Sequence, residues 1–361
     1  MPEVRLEKLT KQYGKTTALK DLSLTIKDGE YFALIGPIGS GKTTTLMLLA
    51  GLTEPDEGEI YFNGKSMKEV PPEDRGVGFV FETFALFPHM SVWDNISYGP
   101  RVKGEKQGST NKVAEEMLQM VLLEDRPDAL PDELSGGMKQ RVALARALTS
   151  GSTILLLDEP LAALDAKIRT ALAHDLRRIV KELRLTAIHV TNSVEEAMLI
   201  ADRIAILHAG VLEQAGTPRE LYEIPKSVFV MDFMGDANLF NGAVVRAGEG
   251  DVEVRTQEGF VFRSSRGGLK EGSKVGVVVR AEDADILEND SSEPQNRLKG
   301  IVKEKMFLLG SMKYLIELEN GREMVVEIPS MASRKAWEAG DSVTLAFPKD
   351  KVFTFPLEES Q

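Results

Sequence analysis

Short apolar segments alternate with longer amphipathic segments through the first 235 residues of the chain. The apolar segments YFALI, VGFVF, TILLLD, TAIHVT and RIAIL are five or six residues long, and helical stretches separate them. Short apolar strands that alternate with helices are typical of βα units that share a parallel sheet. The pattern therefore predicts an α/β domain over residues 1–235.

This alternation is interrupted between about residues 88 and 150. Two segments there, EKQGSTNKVAEEMLQMVLLEDR and MKQRVALARAL, have apolar positions at helical spacing, and no strand-like segment lies between them. We therefore expect a helical insertion (88–150) in the α/β domain. Such an insertion is a natural docking surface for a partner protein.

The pattern changes near residue 235 to short β-rich segments with glycine turns, which predicts a second domain over residues 236–361. Within it, GSKVGVVVRAEDADI (272–286) and GDSVTLAFPKDKVFTF (340–355) share a strand, charged turn, strand pattern, and the polar segment 288–296 lies between them. Two such halves fit a small all-β barrel like the oligonucleotide/oligosaccharide-binding (OB) fold. A single irregular β domain remains the alternative.

The charge of the chain argues against broad nucleic-acid binding. Its formal net charge is −12, and no run of lysine and arginine offsets that charge locally. The chain has no cysteine, so no disulfide is expected, and a reducing cytoplasm suits it. No apolar segment approaches the roughly 18 residues of a membrane-spanning helix, and the start has no signal-peptide core. We therefore expect a soluble chain whose membrane role comes through a partner.

The segment GPIGSGKT has the pattern of a phosphate-binding loop and lies directly between an apolar strand and a helix. Glycines there let backbone N–H groups turn toward phosphate oxygens, and the helix N-terminus favours negative charge. Lys42 can reach the outer phosphates, and the Thr43 hydroxyl can ligate Mg²⁺. The predicted binding residues are Gly36, Pro37, Gly39, Ser40, Gly41, Lys42, Thr43 and Thr44.

Two adjacent carboxylates, Asp158 and Glu159, end the apolar segment TILLLDEP. Ligands gather at the carboxyl ends of parallel strands, so this pair is expected close to the phosphate loop. Asp158 is then a candidate for holding Mg²⁺, and Glu159 for polarising the water that attacks the γ-phosphate.

A second glycine pair, in ELSGGMKQRVALARAL, places Ser135, Gly136 and Gly137 at the start of a long helix, where N–H groups can meet an anion. A phosphate loop, this LSGG-headed helix and LLLDEPLAALD, in this order, resemble an ABC-type ATPase subunit. The resemblance covers essentially the whole chain. The second domain resembles the regulatory β (TOBE) domain of importer ATPases for sugars, polyamines, iron or oxyanions.

The resemblance implies a P-loop NTPase fold, ATP with Mg²⁺ as ligands, and a head-to-tail dimer. Each ATP would lie between the Lys42 loop of one protomer and Ser135–Gly137 of the other. Tyr13 matches an adenine-stacking aromatic residue, and Asp165 matches a loop that links the two sites. The subunit would act at the cytoplasmic face of the membrane, through permease subunits bound to the helical insertion and, indirectly, a periplasmic or extracellular binding protein.

Two positions depart from the family pattern. Glu82, in FVFETFALFPHM, stands where the family has a glutamine that links Mg²⁺ and the attacking water to the helical insertion. A carboxylate is a hard ligand for Mg²⁺, but it adds negative charge near a triphosphate. Asn192 stands where the family has a histidine that contacts the γ-phosphate. His189, three residues earlier, lies within an apolar strand and is expected to point elsewhere.

The sequence leaves two hypotheses open. In the first, the chain is an active ATPase subunit that drives an importer as a homodimer. In the second, Glu82 and Asn192 mark an impaired subunit that binds ATP and completes the site of a second, unaltered ATPase. ABC-type ATPases without transport usually have tandem units or long coiled coils, which this sequence lacks. The transported solute does not follow from the sequence.

Overall fold

The computed structural model describes residues 2–162, 164, 166–287, 296–330 and 336–357, with the backbone alone for 166–168. The chain divides into two compact units, Met1–Ile224 and Pro225–Gln361. The division falls before the position near 235 that the sequence suggested. A short helix, Val228–Phe233, explains the difference, since its Met231 packs with Val278 and Phe353 of the second unit.

In the described residues of the first unit, ten strands form two sheets. They are β1 (Val4–Tyr13), β2 (Thr16–Ile26), β3 (Tyr31–Ile35), β4 (Glu57–Phe62), β5 (Lys65–Ser66), β6 (Val77–Val80), β7 (Ile154–Asp158), β8 (Thr186–Thr191), β9 (Arg203–His208) and β10 (Val211–Gly216). Six of them form a sheet in the order β10-β9-β3-β8-β7-β6, and only β10 runs antiparallel to its neighbour. Every residue of β3, β7 and β8 is buried, which explains why their segments are mainly apolar.

The second sheet of this unit is antiparallel, in the order β2-β1-β4-β5. Its apolar side chains share a core with the phosphate-loop helix and with one face of the parallel sheet: Leu6, Leu22 and Leu46 are fully or almost fully buried in that cluster. The start of the chain is therefore part of the α/β unit and lies beside the site described below.

The helices of the first unit are α1 (Lys42–Ala50), α2 (Val92–Val102), α3 (Gln107–Met120), α4 (Gly136–Thr149), α5 (Ala166–Glu182), α6 (Val194–Ile200) and α7 (Pro218–Glu223). Helices α2, α3 and α4 follow one another between β6 and β7, with no strand in residues 81–153. Their apolar faces pack together through side chains such as Ile96, Leu118 and Leu144. Within the described part of the chain, no helix combines the length and apolar character needed to cross a membrane.

The second unit is built from β-strands, preceded by α8 (Val228–Phe233). The strands are β11 (Ala237–Ala247), β12 (Val252–Thr256), β13 (Val261–Ser264), β14 (Lys274–Arg280), β15 (Asp285–Ile286), β16 (Asn296–Leu308), β17 (Ser311–Leu318), β18 (Glu323–Pro329), β19 (Ser342–Phe347) and β20 (Phe353–Pro356). Over the part of this unit that the structure describes, they form two five-stranded sheets, β13-β12-β11-β14-β20 and β15-β19-β16-β17-β18. The all-β second domain expected from the sequence is confirmed.

The two sheets of this unit are built alike. In each, a three-stranded meander pairs with a fourth strand, β14 or β19, which a short 3₁₀ turn (Ala281–Asp283 or Lys349–Lys351) connects to the next strand. That next strand leaves its own half, because β15 pairs with β19 and β20 pairs with β14. The repeated pattern in the sequence thus corresponds to two halves that exchange a strand and share one core.

Candidate active site

Three neighbouring strands of the parallel sheet end at the same edge. Cα pairing sets Ile35, the end of β3, opposite Thr191, the end of β8, and it sets Asp158, the end of β7, opposite Val190. A cavity of about 290 Å³ lies at this edge. Its lining residues are Thr16, Ala18, Ile38, Gly39, Gly41, Lys42, Thr43, Thr44, Glu159 and Asn192.

The phosphate loop has a backbone course that only glycine permits at two points. Gly36 has φ of 153° and Gly41 has φ of 100°. A Cβ atom at Gly36 would lie 2.1 Å from the Leu207 carbonyl oxygen, and one at Gly41 would lie 2.4 Å from the Ala18 carbonyl oxygen. The loop is therefore fitted against β2 and β9, which fixes where its N–H groups can meet a ligand.

Lys42, the first residue of α1, folds back over the loop. Its side chain is almost buried, and Nζ donates to the carbonyl oxygens of Gly36 at 2.9 Å and Pro37 at 3.0 Å. Burial lowers the pKa of Lys42, while the carboxylates of Glu159 and Asp158 act against that shift. The ammonium group is thus held at the mouth of the loop, where an anionic ligand would meet it.

Thr43 and Asp158 connect the loop to the end of β7. Thr43 Oγ1 donates to Asp158 Oδ1 at 3.1 Å, and Asp158 is buried to all but 7%. Burial raises the pKa of Asp158, the Thr43 hydrogen bond lowers it, and the negative charge of Glu82 raises it further. The pair therefore offers two hard oxygen atoms beside the loop, which is the donor chemistry that Mg²⁺ prefers.

Glu159 is fixed by Val190 of β8 and by Asn192, which follows that strand. It has a positive φ of 45°, and its N–H donates to the Val190 carbonyl at 2.9 Å. Its Oε1 accepts a hydrogen bond from Nδ2 of Asn192. The pKa of Glu159 is raised by burial first and then by the charge of Glu82, whereas the Asn192 hydrogen bond lowers it.

Glu82 lies beyond the end of β6 in an exposed position. The segment after it has positive φ at Phe84 and Ala85, and Arg146 of α4 donates to both of their carbonyl oxygens, at 3.3 and 2.9 Å. Asn95 of α2 holds the same segment through hydrogen bonds with the backbone of residues 87–91. Hydrogen bonds from α2 and α4 thus hold the segment that follows Glu82. The charge of Glu82 acts on the carboxylates of Asp158 and Glu159.

His189 lies away from the cavity. Its side chain is fully buried in β8, with Nδ1 2.9 Å from the Tyr31 hydroxyl and Nε2 2.7 Å from Glu196 Oε1. The sequence predicted that the His189 side chain points away from the phosphates, and its contacts are with Tyr31 and Glu196. His89 lies on the surface, beside the ring of Phe87.

The other residues proposed from the sequence lie around the cavity or apart from it. Tyr13 is half exposed at the end of β1 and pairs with Thr16, a lining residue. Ser135 caps α4 by accepting from Met138 N at 3.4 Å, and with Gly136 it is exposed, outside the cavity lining. Asp165 lies outside the described residues.

Three lining residues were not predicted from the sequence. Thr16 and Ala18 follow the turn after Tyr13, and Ile38 lies inside the phosphate loop with 92% of its surface exposed. Position 38 could have been noticed from the loop pattern alone. The sequence could not indicate Thr16 and Ala18, because they line the cavity only through the packing of β2 against Gly41.

Two family descriptions match the chain. Residues 19–162 match the family described as ABC transporter, and residues 277–355 match the TOBE domain. Full-length similarity extends to proteins named spermidine/putrescine import ATP-binding protein PotA. That of Protochlamydia amoebophila is 39% identical over 344 residues, covering 92% of this chain and 92% of the relative. That of Nitrosospira multiformis is 37% identical over 354 residues, covering 97% and 98%.

The chain belongs to the family of ABC transporter ATP-binding proteins. It combines an ABC-type ATPase unit with a C-terminal TOBE domain, as expected from the resemblance in the sequence. Among solved structures, the ATP-binding cassette MJ0796, described as a dimer in a post-hydrolysis state with ADP and Pi, is 33% identical with a TM-score of 0.54. The match covers 60% of this chain and 99% of that cassette. The ABC ATPase fold expected for the first unit is therefore confirmed.

Proposed function

We propose that this ABC ATPase binds Mg²⁺ and ATP at the described cavity, hydrolyses ATP there, and uses the cycle to energise solute import through a membrane permease. The observation that carries the proposal is the hydrogen bond from Asn192 to Glu159 at the rim of the Lys42 loop. This hydrogen bond supports a site in which Asn192, although it stands in place of the family's histidine, still orients the Glu159 carboxylate that is expected to polarise water.

Binding would rest on the phosphate loop. The loop and the start of α1 line the cavity, where backbone N–H groups can meet an anion, and Lys42 adds a positive charge that two carboxylates help to retain. Thr43 and Asp158 are the residues that would hold Mg²⁺, with Glu82 as an additional oxygen ligand. When bound, the ion would neutralise charge on the phosphates. This role would also relieve the repulsion among the three carboxylates.

Turnover would depend on Glu159. Its side chain projects into the cavity and is held by Asn192, so it can polarise a water molecule aimed at the terminal phosphate. Asn192 is neutral and its amide is already donating to Glu159, so it offers less to a phosphate than an imidazolium would. We therefore expect full nucleotide affinity together with a reduced rate of hydrolysis.

A second copy of the chain would complete each site. Ser135–Gly137 lie at the start of α4, outside the cavity lining, where a helix N-terminus suits a phosphate held by another protomer. The dimeric structure of the MJ0796 cassette supports this arrangement. The helical region, α2–α4, is the proposed contact with the permease at the cytoplasmic face of the membrane. The names of the relatives make spermidine and putrescine the first solutes to test.

The experiment is a comparison of the purified chain with its Glu159→Gln variant. We expect measurable ATP turnover by the wild-type chain alone, and a loss of about 100-fold or more in the variant with ATP affinity retained. Wild-type turnover no higher than that of Glu159→Gln would refute self-sufficient hydrolysis.

A second candidate function is that of an ATP-binding subunit that completes the site of a different ATPase in a heterodimer. The observation in its favour is that both departures, Glu82 and Asn192, act on the Lys42 side, while Ser135–Gly137 retain the family pattern. Asn192→His separates the two candidates. Restoration of turnover from near zero by this change would favour the heterodimer, and little change would favour the homodimer.

A further inference from the structure

We propose that Glu196 is a positioning residue for the hydrolytic step, because its carboxylate and the buried side chains of Thr191, His189 and Tyr31 hold Asn192 against Glu159. This inference rests on the proposed function of Glu159 and Asn192. None of the four residues lines the cavity, so each acts through Asn192 and not on the nucleotide.

The four side chains form a continuous buried series from β3 to α6. The Tyr31 hydroxyl lies 2.9 Å from His189 Nδ1, and His189 Nε2 lies 2.7 Å from Glu196 Oε1. The other oxygen of Glu196, Oε2, accepts from Thr191 Oγ1 at 3.3 Å. Burial and the charge of Glu196 raise the pKa of Tyr31, so its hydroxyl stays protonated and available to the imidazole.

This series closes around Asn192. Thr191 Oγ1, besides donating to Glu196, accepts from the N–H of Ser193 at 3.1 Å. Ser193 Oγ in turn accepts from the N–H of Glu196 at 3.1 Å and caps α6. Hydrogen bonds therefore link both neighbours of Asn192 to Glu196, and they restrict the backbone conformation of residues 191–193.

The restricted backbone decides where the Asn192 amide points. Asn192 Nδ2 donates to Glu159 Oε1, and the Glu159 N–H donates to the carbonyl of Val190. Glu159 is thus aligned by its main chain and by its side chain to the same short stretch, residues 190–192. A shift of that stretch would misplace the carboxylate without touching the phosphate loop.

The position of His189 argues against an ordinary core role. Its Cα partners on the adjacent strands are Ala33 and Leu157, and the surrounding strands β3 and β7 are otherwise apolar at this depth. An imidazole, a carboxylate and a phenol buried together require mutual hydrogen bonding to offset desolvation. An apolar side chain at position 189 would avoid that requirement but would leave Glu196 without its imidazole contact.

Thr191→Val tests the inference, and Thr186→Val is the matched control. Both threonines are buried in β8, but the Thr186 hydroxyl bonds to Pro2 and Gly29 at the opposite end of the strand. We expect Thr191→Val to lower kcat about 10-fold with ATP affinity unchanged within about 2-fold, and Thr186→Val to leave both unchanged. In an Asn192→Ala background, Thr191→Val should have little further effect, since both act through one hydrogen bond.

Hydrogen exchange provides a readout that does not depend on turnover. Thr191→Val should accelerate exchange of the Ser193 amide, and Thr186→Val should not, because only Thr191 Oγ1 accepts from that amide. Should Thr191→Val fail to fold, Glu196→Gln, which keeps the side-chain shape, is expected to lower kcat in the same way, with Glu196→Asp retaining more activity than Glu196→Ala.

Equal kcat and equal exchange in Thr191→Val and Thr186→Val would overturn the inference, as would an equal loss of kcat in both. A wild-type chain with no ATP turnover, combined with faster Ser193 exchange in Thr191→Val alone, would refute the proposed function but leave the bracing of Asn192 supported.

Discussion

The phosphate loop and the Asn192 loop (Thr191–Ser193) meet at one cavity but are stabilised in different ways. The phosphate loop is fixed by main-chain fit, because a side chain at Gly36 or Gly41 would collide with carbonyl oxygens of other strands. The Asn192 loop is fixed by side chains, through Thr191 and Glu196. The phosphate loop, GPIGSGKT, matches the family pattern, whereas the Asn192 loop has asparagine where the family has histidine. We infer that nucleotide binding depends on the phosphate loop, and that a substitution in the Asn192 loop changes the rate of hydrolysis while leaving binding intact.

Replacing Lys42 by alanine should produce the largest effect, because it removes the positive charge of the phosphate loop. We expect ATP affinity to fall about 100-fold or more and turnover to be lost with it. Binding of a fluorescent ATP analogue measures the loss directly. Lys42→Arg, which retains the charge, should lose less; equal affinity in Lys42→Ala and wild type would contradict the role of the loop.

Asn192→Ala should separate the two loops most clearly. Without the amide donor, Glu159 loses its side-chain anchor, and we expect kcat to fall about 10-fold while ATP affinity stays near that of wild type. Because the Asn192 hydrogen bond lowers the pKa of Glu159, its removal should move the acid limb of the pH–rate profile to higher pH. A parallel loss of affinity would show that the two loops do not act separately.

Glu82→Gln should shift the acid limb of the pH–rate profile to lower pH, opposite to the effect of Asn192→Ala. The charge of Glu82 raises the pKa of Asp158 and of Glu159, so the neutral glutamine lowers both, and Glu159 stays ionised to lower pH. The acid limb of kcat/KM should therefore move to lower pH. An unshifted profile would mean that Glu82 does not act on these carboxylates in solution.

Tyr13→Ala should have the smallest effect, a loss of a few-fold in ATP affinity with kcat unchanged, if the ring stacks on adenine. Tyr13→Phe keeps the ring and serves as the control. Comparison of ATP with an inorganic triphosphate tests the assignment, because only ATP should respond to the change.

The sequence predicted those parts of the site that depend on local pattern. The strand β3, the phosphate loop and α1 follow one another in GPIGSGKT and its flanks, and Asp158 ends an apolar segment that only a buried strand explains. The contact between Tyr31 and His189 could not be predicted, since it depends on β3 and β8 being neighbours in the sheet although 158 positions separate the two residues. The exchange of β15 and β20 between halves is a property of tertiary pairing in the same way.

The most direct test of hydrolysis by this chain alone is a single-turnover measurement on the purified chain, with protein in excess of ATP, so that the chemical step is observed apart from binding. We predict that the wild-type chain converts its bound ATP to ADP and phosphate. Glu159→Gln should bind ATP equally well but convert it at least about 100-fold more slowly, and Asn192→His should change the rate by no more than a few-fold. A wild-type rate that equals the rate of Glu159→Gln, and that Asn192→His raises strongly, would contradict hydrolysis by this chain alone.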